Sequence, residues 1–314
     1  MELLRHTEAV LALPSIAVIE RYPFALMAGA SAAVGRGDTA RGDTARAEHL
    51  CARALEATSE PNDELEGRAA LVRFQAALVT GDRHGLIEHL ERALHHFRRL
   101  GSPYRLVHVL NVLAAIRTHG GDSAAATDAA REALVFARQT GNPGLTSGSL
   151  AGLAFVLADS EPERSRELIA ESLELNHHLA ATVVDELALV LTIVASAMLG
   201  ERNQVMRLSA RAFDCGLTGI TPLSSCLECA AEALAAGEPA VAAVVHGYLD
   251  AWAPHLTERQ PHLTFRQRAT AVIDAQLDVK HVIELHAQGA AMTLNQATAH
   301  ALEAIERVMP DATH

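Results

Sequence analysis

The chain has 314 residues, 49% of them apolar and 4% aromatic, with a formal charge of −12 at pH 7. That length is ample for a buried core, while the acidic balance repels phosphate backbones and argues against direct nucleic-acid binding. No apolar run reaches the roughly 18 to 20 residues of a membrane span, MELLRHTEAV lacks the basic-then-apolar order of a secretion signal, and four scattered cysteines make no disulfide framework, so a reducing cytoplasm is expected.

In chain order, periodicity and punctuation predict helices over 22–34 and 44–58, 62–80 and 83–99, 103–119 and 123–139, 143–158 and 162–178, 181–199 and 202–215, and 222–236 and 239–252. Within pairs the breaks are Gly81-Asp82, Gly121-Asp122, Gly200-Glu201 and Gly237-Glu238. Gly ends one helix and Asp caps the next. Between pairs stand Ser102-Pro103, Asn142-Pro143 and Thr221-Pro222, each a capping residue followed by proline at the first helical position. GDTAR occurs in tandem at 37–41 and 42–46 and lengthens the first loop. After 252 the rhythm fades, and 264–287 and 294–308 read as helices closing the open end, which divides the chain into repeats over 1–252 and a helical cap over 253–314.

ALHHFRRLGSP at 93–103 reappears forty residues on as ALVFARQTGNP at 133–143, and the same step carries Leu110, Leu113 and Ala114 onto Leu150, Leu153 and Ala154. A fixed period with helix-type spacing marks stacked helix pairs. The expected fold is all-α, a right-handed superhelix of antiparallel helix hairpins.

The spacing resembles the tetratricopeptide pattern, with Leu110, Leu113 and Ala114 on the packing positions of a first helix and Ala126 and Ala133 on those of a second. It departs in a period nearer 40 than 34, in missing aromatics, and in Arg73 and Arg117 where apolar residues are expected. In the tetratricopeptide register the concave positions are Arg68 and Gln75, then His108, Asn111 and Thr118, then Phe155. That set suits a peptide backbone or a carboxylate, and His108 and Asn111, one turn apart, should reach the same ligand group.

Residues 21–57 and the segment LHAQGAAMTLNQATAHALEAI at 285–305 resemble the two ends of the helical-repeat region in actinobacterial MalT-like and LuxR-type ATP-dependent regulators and the related cyclase-ATPase regulators. The resemblance implies the middle part of a three-part switch, between an ATPase and a DNA-binding helix-turn-helix. A P-loop needs G-x-x-x-x-G-K-[ST], but Lys280, the lone lysine, sits between Val279 and His281, and the chain stops at His314 with no room expected for a DNA-reading domain.

Cys226 and Cys229 form a C-x-x-C in mid-helix without the further ligands a zinc site requires, and read as small packed residues. His95-His96 and His177-His178 are adjacent pairs whose side chains point about 100° apart on a helix and cannot jointly chelate. No nucleophile stands at a spacing that meets a base. The reading is non-enzymatic and without cofactor: a module of a signalling or transcription-regulating system that binds a protein or peptide on its concave face. The alternative is a small-molecule or peptide sensor with a closed pocket.

Overall fold

The computed structural model describes residues 21–34, 43–178, 186–215, 217, 220–254 and 260–310. It is all-α among these residues. The helices are α1 (Tyr22–Val34), α2 (Thr44–Glu56), α3 (Asp63–Thr80), α4 (Arg83–Leu100), α5 (Pro103–His119), α6 (Ser123–Thr140), α7 (Pro143–Leu157), α8 (Pro162–His178), α9 (Glu186–Met198), α10 (Arg202–Asp214), α11 (Ile220–Leu234), α12 (Pro239–Trp252), α13 (His262–Gln276), α14 (Val279–Ala290) and α15 (Leu294–Val308).

The expected punctuation accounts for most boundaries. Asp82 and Asp122 accept from the backbone N–H of Gly85 and Ala125 at 3.1 and 3.2 Å, and Asn142 accepts from Gly144 and Leu145. Gly101 and Gly141, the repeated glycines, end α4 and α6 at φ 66° and 65°, a left-handed conformation that side chains with a Cβ resist. Ser102 makes no side-chain cap bond, although Pro103 does open α5. α11 starts at Ile220, ahead of Pro222, which a first turn tolerates because its N–H groups have no intrahelical acceptor.

One expected helix is two. The run over 264–287 breaks at Leu277, whose backbone is extended at φ −119° and ψ 147°, and Asp278 caps α14 by accepting from His281 N at 3.0 Å. The tandem GDTAR lies largely outside the described residues, as do residues 181–185 and the side chains of His177 and His178.

Each hairpin packs its two helices together, and hairpins stack through their first helices, α1 on α3, α5 on α7, α7 on α9 and α9 on α11, except between α3 and α5, where the hairpins meet through α4 on α5. Among the described residues, successive second helices do not pack on one another in this way. Close approach in one layer and separation in the other makes the first helices the inner layer and the second helices the outer one. Salt bridges cross the outer gaps instead. Arg98 and Arg138, forty residues apart in the repeat, reach Glu132 and Glu171 on the next second helix at 2.7 and 3.1 Å.

The two arginines at apolar positions have the same logic. Arg73 on α3 pairs with Glu48 on α2, and Arg117 on α5 with Glu91 on α4, so each first helix ties back to the preceding second helix. Their stems cover apolar surface while the guanidinium reaches a carboxylate; Arg117 retains 22% side-chain exposure. The last three helices cap the final hairpins, with α13 on α11 and α12, α14 on α12, and α15 on α10, α11 and α12. α15 opens with a capping box between Thr293 and Gln296.

Candidate functional site

The inner layer is more closed than a peptide-binding trough. Every residue from Ser147 to Ala158 on and just after α7, and from Leu223 to Ala235 on and just after α11, is buried. A helix apolar and buried around its whole circumference lies inside a core rather than along an open face.

The six expected concave residues are therefore not one surface. Phe155 is 1% exposed and Asn111 6%, both held between helices. Asn111 Nδ2 donates to Ser149 Oγ at 3.3 Å, and its Oδ1 stands beside Gly152 with no hydrogen-bond partner. His108 and Gln75 are exposed, and half-buried Thr118 donates to its own helix at Ala114 O, 2.9 Å away. Arg68 is committed to Glu64, with Nε 3.0 Å from Oε1, and its guanidinium lies 5.4 Å from the Phe24 ring centroid. His108 and Asn111 thus separate, one outward and one inward, because the contact between α5 and α7 falls between them.

A polar seam that spacing did not reveal runs through the inner layer. The His119 ring on α5 lies 5.5 Å from Phe155 on α7 and stacks on His262 of α13 at 6.3 Å and 12°. His262 Nε2 is 2.6 Å from Ser225 Oγ on α11. A nucleophile and its base would stand at that distance. Here burial and the neighbouring His119 depress the imidazole to about 3, so it is a weak proton acceptor at neutral pH. Its other nitrogen has no partner, and Ser225 is buried. The pair closes α13 onto α11 and, through the ring stack, onto α5.

A second buried cluster joins the last hairpin to the cap. Arg266 on α13 forks onto Glu228 of α11 through Nε and Nη2 at 3.2 and 2.9 Å, and Nη1 reaches Asp250 of α12 at 3.0 Å. Complete burial pushes the Glu228 carboxyl up to about 7, and Arg266 opposes that rise. His246, 1% exposed, is held well below its usual range by burial and by Arg266. Breaking such a pair leaves a buried charge uncompensated, so the cluster fits a structural clamp. Cys226 and Cys229 lie on the same helix, fully buried, with burial raising the first thiol to about 12 and holding the second well above its ordinary range. They pack as small apolar residues. Among the described residues no three His, Cys, Asp or Glu side chains come together as a metal site.

An open feature lies in the outer layer. Between α4 and α6, over α5, is a cavity of 580 Å3, within the roughly 300–1,000 Å3 range of ligand pockets. Its floor is Leu94, Leu110, Leu113 and Ala129, all buried. The α4 wall carries His95, Arg98 and Arg99; the α6 wall carries Asp128 and Glu132. Arg98 and Glu132 bridge the walls at 2.7 Å with 51% and 36% of their side chains exposed. An exposed pair of this kind contributes about 0.2–1 kcal/mol, so opening it costs little. The signal available in the sequence was the Arg98–Arg138 repeat, which registers the outer wall rather than the concave one.

No family model matches the chain, and no curated protein matches it.

Proposed function

We propose that this chain is a non-enzymatic recognition module that holds a protein or peptide partner on its stack of helix hairpins, as the docking or sensing part of a bacterial signalling or transcription-regulating system. The observation that carries this reading is the leucine-floored cavity between α4 and α6, walled by charge on a repeat scaffold. Repeat stacks present such continuous surfaces, and a groove with an apolar floor and a polar rim is the usual anatomy of a docking site. The seam and the clamp hold the scaffold together, and neither brings a reacting set of groups to a free surface. The likeness of residues 21–57 and 285–305 to regulator repeats supports the regulatory context.

The test is selection of a displayed random-peptide library on the folded chain, followed by titration of the enriched peptides against wild type and Asp128→Trp, which fills the cavity from an exposed α6 position. Peptides that bind one site and lose affinity at least tenfold on the filled variant support the reading. Equal binding to both proteins refutes the groove.

A second reading, a small-molecule sensor within the inner layer, is favoured by the buried atoms without partners, Asn111 Oδ1 and His262 Nδ1. A ligand there would supply the missing hydrogen bonds.

A further inference from the structure

We infer that the α4–α6 groove takes an amphipathic helix from a partner, with acidic side chains along one flank of its apolar edge and basic side chains along the other. This inference rests on the docking role proposed above and names the chemistry of the occupant.

The floor sets the apolar edge. Leu110 and Leu113 line the cavity at i and i+3 of α5 with Leu94 and Ala129 beside them, and Arg117 at i+7, about 10.5 Å along from Leu110, ends the floor with its guanidinium turned to Glu91. A helix laid in a groove anchors through side chains at i, i+3 or i+4, and i+7, and its anchors cover the same span. Three apolar side chains suit the cavity volume of 580 Å3, while the helix backbone rides above the rim.

The walls set the flanks. Glu91 is committed to Arg117 at 2.8 Å and Arg99 to Asp63 of α3 at 3.2 Å, which leaves Arg98 with His95 as the basic wall on α4. Asp128 and Glu132 make an acidic wall on α6. Arg98 and Glu132 satisfy each other across the groove. A helix with an acid facing α4 and a base facing α6 exchanges that one exposed pair for two, each less exposed once the helix covers the floor. A helix with acid and base mixed on both flanks sets like charges against each wall. Complementary potential across an interface favours the first and disfavours the second.

The probe is a pair of hydrocarbon-stapled 14-residue helical peptides of identical composition and zero net charge, each with three leucines at i, i+3 and i+7. One segregates glutamate and arginine to opposite flanks, and the other interleaves them. Fluorescence anisotropy against the full chain should show the segregated peptide binding at least tenfold more tightly. The preference should fall below twofold in Arg98→Gln/Glu132→Gln and shrink between 50 and 500 mM salt. Equal binding of the two isomers, a preference that survives the double substitution, or no binding of either overturns the inference. If library peptides still lose affinity on Asp128→Trp in that case, the docking role stands and only the helix chemistry fails. If neither probe depends on the groove, both fail.

Discussion

The contact between α12 and α14 offers a severe test of the packing account through one methyl group. Substituting Gly289→Ala places a Cβ 1.9 Å from Val244 O and 2.8 Å from Tyr248 N, and Gly247→Ala places one 2.2 Å from His286 O. Real Cβ atoms essentially never approach within 3.0 Å, so at Gly289 the helices must separate by more than 1 Å. The neighbours are backbone atoms and cannot rotate away. Two effects compete. Glycine to alanine in a helix gains about 1 kcal/mol in propensity, whereas overpacking costs about 1–3 kcal/mol and occasionally more. Rigid backbone on both sides puts the cost at the upper end, for a net loss of about 2 kcal/mol. At about 2–4 °C per kcal/mol in a large domain, Tm should fall by about 4–8 °C, with hydrogen exchange rising first in α14. Gly152→Ala is the control. Its Cβ would meet Asn111 Oδ1 at 3.1 Å, the movable end of a side chain, so that substitution should be neutral or slightly stabilising. Wild-type melting and unchanged α14 protection in Gly289→Ala would show that the two helices are not packed backbone to backbone, and the account of the cap would be wrong.

Three other perturbations have defined outcomes. Mild alkylation of the folded chain at pH 7.5 should modify Cys215, which is exposed, and spare Cys51, Cys226 and Cys229, which are buried; rapid labelling of Cys226 or Cys229 would contradict their packing on α11. Burial holds the His262 imidazole down to about 3 in the folded chain, against an ordinary value of about 6.5, so the unfolded chain takes up its proton first. Its contribution is fully present above about pH 6.5 and is lost as pH falls toward 3, with a slope of up to about 1.4 kcal/mol per unit. His262→Gln should flatten the fall in Tm between pH 6.5 and 4, and an unaltered profile would remove His262 from the acid response. Arg98→Ala and Arg138→Ala should each lower stability by about 1 kcal/mol or less, as measured by chemical denaturation, because both pairs are largely exposed; a loss above about 2 kcal/mol would mean that the outer layer is held more tightly than its geometry implies.

The architecture was legible because its signals are local. Asp82, Asp122 and Asn142 cap where short-range chemistry puts a cap, and Pro103, Pro143, Pro162 and Pro239 open helices at the first position. The break at Leu277 was not legible, because Leu-Asp is neither Gly nor Pro and only Asp278 marks the new start. The candidate site was legible only in part. The register placed His108 on an exposed face and put Asn111 beside it, yet three residues on, about 60° round the helix, the side chain falls into the contact with α7, and no local signal fixes the angle at which two hairpins meet. Ser225 and His262 are 37 residues apart, and their contact depends on how α13 folds back over α11. The groove depends on second helices standing apart, a property of the stack as a whole. Arg73 and Arg117 seemed out of place for the same reason: their carboxylate partners lie on the preceding hairpin.

Methyl NMR of the selectively labelled chain during titration with the segregated peptide tests the recognition role most directly. Leu94, Leu110 and Leu113, the floor of the α4–α6 groove, should shift together and saturate at one peptide per chain, while Leu150 and Leu227 within the core stay in place. Shifts confined to the inner layer around Phe155 and His262, or none at saturating peptide, would contradict it.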